Sequence, residues 1–180
     1  MKQDFVEVRV HGVSVGPGEG APMVLLLDGR GEAGLPVPVG PFEASAIIIE
    51  LEGISPPRPL THDLLAELFR EGGLSLERAE LYGELGSGGW RGLPDSLGLA
   101  FPEGGFRAAG APLARLVYRR GLRRREREVR PSDAIALALR LGAPICAERG
   151  LLGSRAEAEA AMRSYAPGPE LHRQSAGEAL

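Results

Sequence analysis

The chain has 180 residues, 43% of them apolar, which is enough for one domain with a sizeable core. A net charge of only −3 does not by itself indicate a nucleic-acid-binding protein, and the lone Cys146 excludes an internal disulfide and a cysteine-based metal site. No run approaches transmembrane length and the N-terminus carries no apolar signal segment, so we expect a cytoplasmic protein without a membrane partner.

The first predicted elements are three strands and a helix. Alternating valines at 4–10 predict a strand, and a continuous apolar run at 23–27 predicts a buried one. A third strand is predicted at 35–39. Pro41 suits a first helical turn, so the next segment, 42–52, is interpreted as a helix despite its run of isoleucines.

A second helix is predicted over 62–71, with Thr61 as its N-cap. Its apolar side chains are expected to point inward, namely Leu64, Leu65, Leu68 and Phe69. Further elements are predicted in this order: a strand at 74–85, a short strand at 97–101, a hairpin of 113–118 and 122–129, a helix at 131–141, a strand at 144–147 and a helix at 154–165. This order predicts a single-domain α+β fold, with a mixed, largely antiparallel sheet and about four helices.

Two segments carry most of the chemical signal, residues 57–63 (PRPLTHD) and 130–133 (RPSD). Each puts an arginine, a proline, a hydroxyl residue and an aspartate at the start of an apolar helix. A helix N-terminus exposes unpaired N–H groups and the positive end of the helix dipole, so it is a natural anion site. We therefore expect the two helix starts to be neighbours in space and to form a site for phosphate.

These two segments, together with residues 35–44 (LPVPVGPFEA), resemble the signatures of the bifunctional nuclease domain family. The family comprises bacterial and plant proteins credited with both DNase and RNase activity, and the resemblance covers residues near 22–70 and 113–152. It implies hydrolysis of phosphodiester bonds in DNA and RNA with low sequence specificity, aided by a divalent metal such as Mg²⁺. Glu128 departs from the pattern, because the family usually has aspartate there.

The resemblance also sets the expected domain boundaries. A bifunctional nuclease-like domain is expected over 1–152, with a variable Gly/Pro-rich insertion at 86–112. A C-terminal helix is expected over 153–166, followed by a disordered tail over 167–180.

The candidate catalytic residues are His62, Asp63 and Asp133. A histidine can act as a general base at neutral pH, and carboxylates can hold a metal ion that activates water. Asp63 and Asp133 are the candidate metal ligands, with Glu43 as a third carboxylate. A structural interpretation stays open for each: the carboxylates would complement helix dipoles, and Arg130 would form a buried pair with Asp63.

The candidate phosphate-binding residues are arginines: Arg58, Arg130, and Arg123, Arg125 and Arg127 of the predicted hairpin. Residues 119–130 contain seven arginines and two glutamates. Strand alternation places Arg123, Arg125 and Arg127 on one face. The arginines could also protect an edge strand from aggregation by their charge, or reflect a compositional bias that yields twenty arginines and one lysine.

Three functions are compatible with these residues. The first is a nuclease with nucleic acid as its partner, and the second is a non-catalytic nucleotide- or phosphate-binding regulatory module. The third is an assembly protein whose motifs only lock the core, so a homo-oligomer is also left open.

Overall fold

The protein is described by a computed structural model, which covers residues 4–15, 22–83, 112–165 and 171–173. Four helices and nine strands lie in these ranges. The strands are β1 (Phe5–Ser14), β2 (Met23–Asp28), β3 (Ala33–Pro38), β4 (Leu74–Tyr82), β5 (Leu113–Arg120), β6 (Arg123–Val129), β7 (Ile145–Glu148), β8 (Gly153–Ser154) and β9 (Leu171–Arg173). The helices are α1 (Pro41–Leu51), α2 (Thr61–Glu71), α3 (Pro131–Leu141) and α4 (Arg155–Tyr165).

Eight strands form one sheet in the order β6-β5-β4-β7-β1-β2-β3-β8, and β9 pairs with β1. The described pairs are antiparallel except β4 with β7. The predicted α+β class and the mixed, largely antiparallel sheet with four helices are therefore confirmed.

The sheet is covered on both faces near β2, which explains the continuous apolar run in that strand. Val24 and Leu26 belong to the main core with α1 and α3, whereas Met23 and Leu25 pack with Met162 of α4. Successive side chains of a strand point to opposite faces, so a strand buried on both faces has no polar alternate positions. Helices α1 and α3 thus lie on one face and α4 on the other.

Helix boundaries follow local chemistry. Pro41 and Pro131 each occupy the first turn of a helix, where the missing N–H costs nothing, and Gly142 ends α3 with a φ of 62°. The predicted N-cap of α2 is wrong by one residue. The cap is Leu60, whose N–H donates to Asp63 Oδ2 at 2.8 Å.

The expected orientation of α2 is also wrong. Leu64, Leu65 and Leu68 are exposed, and Ala66 is the one fully buried residue of this helix. Phe69 does pack inward, with its ring 5.7 Å from that of Tyr118 on β5. The helix is held to α3 through its polar first turn and to the sheet through Phe69, rather than through its leucines.

Two expectations about chain segments fall largely outside the described residues. The short strand at 97–101 and nearly all of the expected insertion at 86–112 lie there. Within the expected tail at 167–180, Leu171–Arg173 form β9, and the other residues lie outside the described ranges. In the part of the chain that is described, no helix is long and apolar enough to cross a membrane.

Candidate functional site

The starts of α1, α2 and α3 meet at one place on the face of the sheet that carries α1 and α3. His62 Nε2 of α2 lies 3.2 Å from Asp133 Oδ1 of α3. The guanidinium of Arg130 donates to both oxygens of Asp133, at 2.8 Å each, and its Nη1 lies 2.7 Å from Glu43 Oε1 of α1. We call these four residues the helix-start cluster. It brings together Glu43, His62, Arg130 and Asp133, which the sequence placed in three separate segments.

The protonation of the cluster follows from its hydrogen bonds. Burial acts to raise the pKa of Asp133, but hydrogen bonds from His62 and Arg130 and the charge of Arg130 lower it to about 2. Asp133 is therefore ionised at neutral pH and can only accept hydrogen bonds, so Nε2 of His62 carries the proton that points at it. The lone pair of a neutral His62 is then on Nδ1, which has no hydrogen-bond partner among the described residues.

Arg130 is not a free phosphate ligand within this cluster. Three of its five N–H donors are used by Asp133 and Glu43. The cluster has one arginine and two carboxylates, so it carries a net charge of −1 with His62 neutral. Attraction for a phosphate has to come from arginines outside it.

Asp63 lies beside His62 in the chain but has a different partner. Its Oδ1 accepts a hydrogen bond from Nε of Arg140, near the end of α3. The sequence-based alternative of an Arg130–Asp63 pair is thus replaced by two pairs, Arg130 with Asp133 and Arg140 with Asp63. Burial acts to raise the pKa of Asp63, and the hydrogen bonds from Arg140 and the Leu60 N–H more than reverse this, so its pKa is lowered.

Arg140 is the residue that sequence reasoning missed. Its side chain is 3% exposed, and it donates to the carbonyl oxygens of Ala46 in α1 and Ala136 in α3 at 3.1 Å each. Its own carbonyl accepts a hydrogen bond from Arg70 of α2 at 2.7 Å. A usable signal was present: an arginine in a helix that is apolar nearly all round has to find a buried partner.

The arginine-rich hairpin of β5 and β6 has two chemically different faces. On the face away from α1–α3, arginines are matched by glutamates: Glu77 binds both Arg119 and Arg124, and Glu126 lies 3.5 Å from Arg115. Further along this face, the fully buried Glu80 is held between Arg78 and Arg115. Each of these arginines thus lies within 4 Å of a glutamate, and Glu77 and Glu80 are each shared by two arginines.

The other face of β6 is basic and unmatched. Arg123, Arg125 and Arg127 stand opposite Arg120, Tyr118 and Leu116 of β5, and Leu116 and Tyr118 pack in or against the core beneath the helices. All three arginines are exposed, and none has an acidic partner among the described residues. We call them the arginine strip. From Arg123 to Arg127 the strand advances by about 13 Å. Arg130 follows three residues after Arg127, so the strip leads to the helix-start cluster.

The other candidate residues do not join these two groups. Arg58 is exposed in the loop before α2 and makes no hydrogen bond or ion pair within the described residues. Of the three candidate metal ligands, Glu43 and Asp133 meet at Arg130, whereas Asp63 pairs with Arg140. Within the described ranges no three histidine, cysteine, aspartate or glutamate side chains form a group that could hold a metal ion. Asp63, Asp133 and Glu43 are each bound by an arginine instead, so this set of carboxylates does not fit a divalent cation.

The Asp63–Arg140 pair generates a prediction about stability. Asp63→Asn would leave the buried Arg140 with only the carboxylate of Glu50, whose Oε2 lies 3.8 Å from its Nε. Losing the nearer partner of a buried charge should cost about 3 kcal/mol in the free energy of unfolding. Arg149→Gln is the matched control, because Arg149 and Asp4 form an exposed pair at 2.6 Å. That control should lose less than about 1 kcal/mol. Urea unfolding measures both, and an Asp63→Asn protein as stable as the parent would contradict the structural role.

The low pKa of Asp133 generates a prediction about pH. A carboxyl group whose folded pKa is about 2, below its ordinary 3.8, contributes stability that is present above pH 5 and lost as the pH falls towards 2. Asp133→Asn should therefore be roughly 2 kcal/mol less stable than the parent at pH 7, with the difference shrinking at acid pH. Asp4→Asn, at an exposed position, should show little difference at either pH. A difference for Asp133→Asn that is constant from pH 7 to pH 3 would refute the assignment.

Comparison with known proteins agrees with the motifs. The family model of the bifunctional nuclease domain matches residues 24–84 and 108–159, well over half of the chain. An uncharacterized protein of Mycobacterium tuberculosis, matched in each of two strains, is 35% identical over 146 residues, which cover 81% of this chain and 73% of the relative. The helix-start cluster and the arginine strip lie within the matched ranges. The chain therefore belongs to the bifunctional nuclease domain family.

Proposed function

We propose that the protein binds DNA and RNA through the arginine strip and hydrolyses phosphodiester bonds beside the helix-start cluster. The observation that carries the proposal is the sorting of charge on β6. Arginines without acidic partners among the described residues occupy the face that leads to His62, and matched arginines occupy the other face. A compositional excess of arginine would not by itself produce this separation. Family membership supports the same activity.

Binding would be electrostatic and indifferent to base sequence. The strip offers guanidinium groups that can fork onto phosphate oxygens, and it presents no aromatic row for reading bases. Because Arg130 already binds two carboxylates, attraction for the nucleic-acid backbone would come from the strip, and Arg130 would contact only the phosphate to be cleaved. The nucleic-acid backbone would thus follow the strip, with the phosphate to be cleaved at its Arg127 end.

Hydrolysis would use His62 as a general base. Nε2 of His62 donates its hydrogen bond to Asp133, which leaves Nδ1 to accept a proton from water. The water oxygen bonds to phosphorus in the same step. The bond from phosphorus to the leaving ribose or deoxyribose oxygen then breaks, that oxygen takes up a proton from solvent water, and His62 returns the proton it accepted to the solvent. The two unused N–H donors of Arg130 would stabilise the charge that develops on the phosphate oxygens. Asp63 is a positioning residue here, because it acts on His62 through the backbone of α2.

A divalent cation stays a prediction from the family resemblance. The described carboxylates of the site form ion pairs with arginines and are not assigned as ligands of the cation. Cleavage measured with and without Mg²⁺ decides whether it is required.

One observation favours a second candidate, the non-catalytic nucleotide- or phosphate-binding module. Each carboxylate of the helix-start cluster is bound by an arginine, as in a site that is rigid rather than reactive. Both candidates share the binding step, so they separate on cleavage alone.

The arginine strip predicts the salt dependence of binding. Replacing Arg123, Arg125 and Arg127 by Gln should reduce the slope of log K against log salt by about 2 to 3, since each phosphate contact contributes close to one unit. The control replaces Arg9, Arg119 and Arg124 by Gln, which removes the same charge from the opposite face and from β1. Its slope should stay near the parental value. Fluorescence anisotropy with labelled single- and double-stranded DNA measures both, and equal slopes for the two variants would refute the assignment.

The proposed base predicts a separation of binding from cleavage. His62→Gln keeps a donor for Asp133 but removes the basic nitrogen, so cleavage of DNA and RNA should fall by about 100-fold or more while the salt slope is unchanged. Parallel reactions with EDTA, and with Mg²⁺ restored, test the cation. Full activity of His62→Gln would remove His62 from the mechanism. A parental protein that binds but never cleaves, with or without Mg²⁺, would leave the binding module as the function.

A further inference from the structure

The outward side of α2 carries three exposed leucines. Leu64, Leu65 and Leu68 are 50%, 39% and 53% exposed. We call these three residues the leucine stripe. They follow the i, i+1, i+4 spacing of one helix face, and the opposite side of the helix is already packed through Ala66 and Phe69. Three clustered leucines on a helix surface are typical of an interaction site rather than of scattered surface residues.

The two ends of the stripe carry opposite charges without partners among the described residues. Arg58 is exposed just before α2, and Glu71 is exposed in its last turn. Neither makes a hydrogen bond or an ion pair within the described ranges. The helix dipole adds to this polarity, because its positive end lies at Thr61 beside Arg58 and its negative end lies beside Glu71. The outward side of α2 therefore has a basic side chain at one end, an apolar middle and an acidic side chain at the other end, whereas Arg70 of the last turn donates to the Arg140 carbonyl on the inner side.

A half-turn about an axis perpendicular to α2 brings each end of this surface against the oppositely charged end of the same surface on a second copy. We propose that the leucine stripe is the contact of a homodimer, in which α2 packs antiparallel against α2 of a second copy. A two-fold axis near Ala66 places Leu64 of each copy opposite Leu68 of the other, and Glu71 opposite the first turn of α2. Arg58 then reaches Glu71 of the other copy. One symmetry operation thus covers Leu64 and Leu68 and forms the Arg58–Glu71 pair twice, as an isologous interface requires.

The chemistry of the stripe favours a second copy over nucleic acid as the occupant. Leucine side chains offer no donor to a phosphate, and Glu67 and Glu71 on the same helix would repel one. The arginine strip lies on β6 and is not part of this contact. The dimer and the proposed nuclease function therefore stand or fall separately.

The size of the contact sets its strength. An eleven-residue helix is about 16 Å long, so two such helices bury an area at the low end of specific interfaces. The full chain should have twice its mass of 19.0 kDa at high concentration and should dissociate on dilution. Sedimentation or light scattering over a concentration series measures this. A protein that stays monomeric at every concentration would overturn the proposal.

Variants of the stripe test its location. Leu64→Gln with Leu68→Gln should weaken association at least tenfold while the melting temperature of the monomer changes little, because about half of each side chain is already exposed there. Leu122→Gln is the matched control, since Leu122 is 96% exposed at the hairpin turn. A double variant that still dimerises like the parent would overturn the proposal. So would a monomeric parent whose melting temperature falls on mutation, since the stripe would then be covered by its own chain.

Charge reversal tests the antiparallel register. Arg58→Glu alone and Glu71→Arg alone each set like charges against one another twice, so each should associate at least tenfold more weakly than the parent. Mixing the two variants should restore association, because the carboxylate introduced in one copy then faces the guanidinium introduced in the other, while the parental pair forms at the second contact. Heterodimer formation is measured with one variant tagged. Two weak variants that fail to combine, or two that dimerise normally, would refute the proposed register.

Discussion

Arg140 places a full positive charge between three packed helices, and the arrangement of those helices depends on satisfying it. Its donors reach backbone carbonyls in α1 and α3 and the carboxylate of Asp63 in α2. An unpaired buried charge would cost several kcal/mol, so the helices can slide or rotate only as far as these bonds allow. The same bonds set the position of His62, because His62 precedes Asp63 in the first turn of α2. A residue with no direct part in the chemistry thereby determines where the candidate base lies.

Charge is sorted by the pleat of the sheet. In β6, neighbouring arginines in the chain point to opposite faces, and among the described residues only one of these faces has glutamates within reach. On the matched face, the exposed ion pairs contribute little to stability, and the buried Glu80 is satisfied by Arg78 and Arg115. The unmatched face keeps its positive potential, which salt screens but no carboxylate in the described part of the chain cancels. A chain with a small net negative charge can in this way present a strongly basic strip.

Helix α2 has two sides with different tasks. The inner side holds His62 and Asp63 against α3 and packs Phe69 on Tyr118. The outer side carries the leucine stripe. Because the helix is held to the protein by ion pairs and one aromatic contact, its leucines are free to serve a surface. In a homodimer formed through this side, each copy would keep its own helix-start cluster and its own arginine strip outside the interface.

Local patterns in the sequence were sufficient for the four helices and for strands β1 to β7 of the described ranges, for the α+β class and for the alternation of the arginines in β6. They did not predict the short strands β8 and β9. They were also sufficient for the family, because residues 57–63 and 130–133 carry its signatures in order. Partner choice was not accessible from these patterns. The sequence could suggest that Asp63 meets an arginine, but the choice of Arg140 over Arg130 depends on how α2 crosses α3, which is a long-range packing property. The outward leucines of α2 have the same cause: helical periodicity defines an apolar face, and only the tertiary structure decides whether that face meets the core or the solvent.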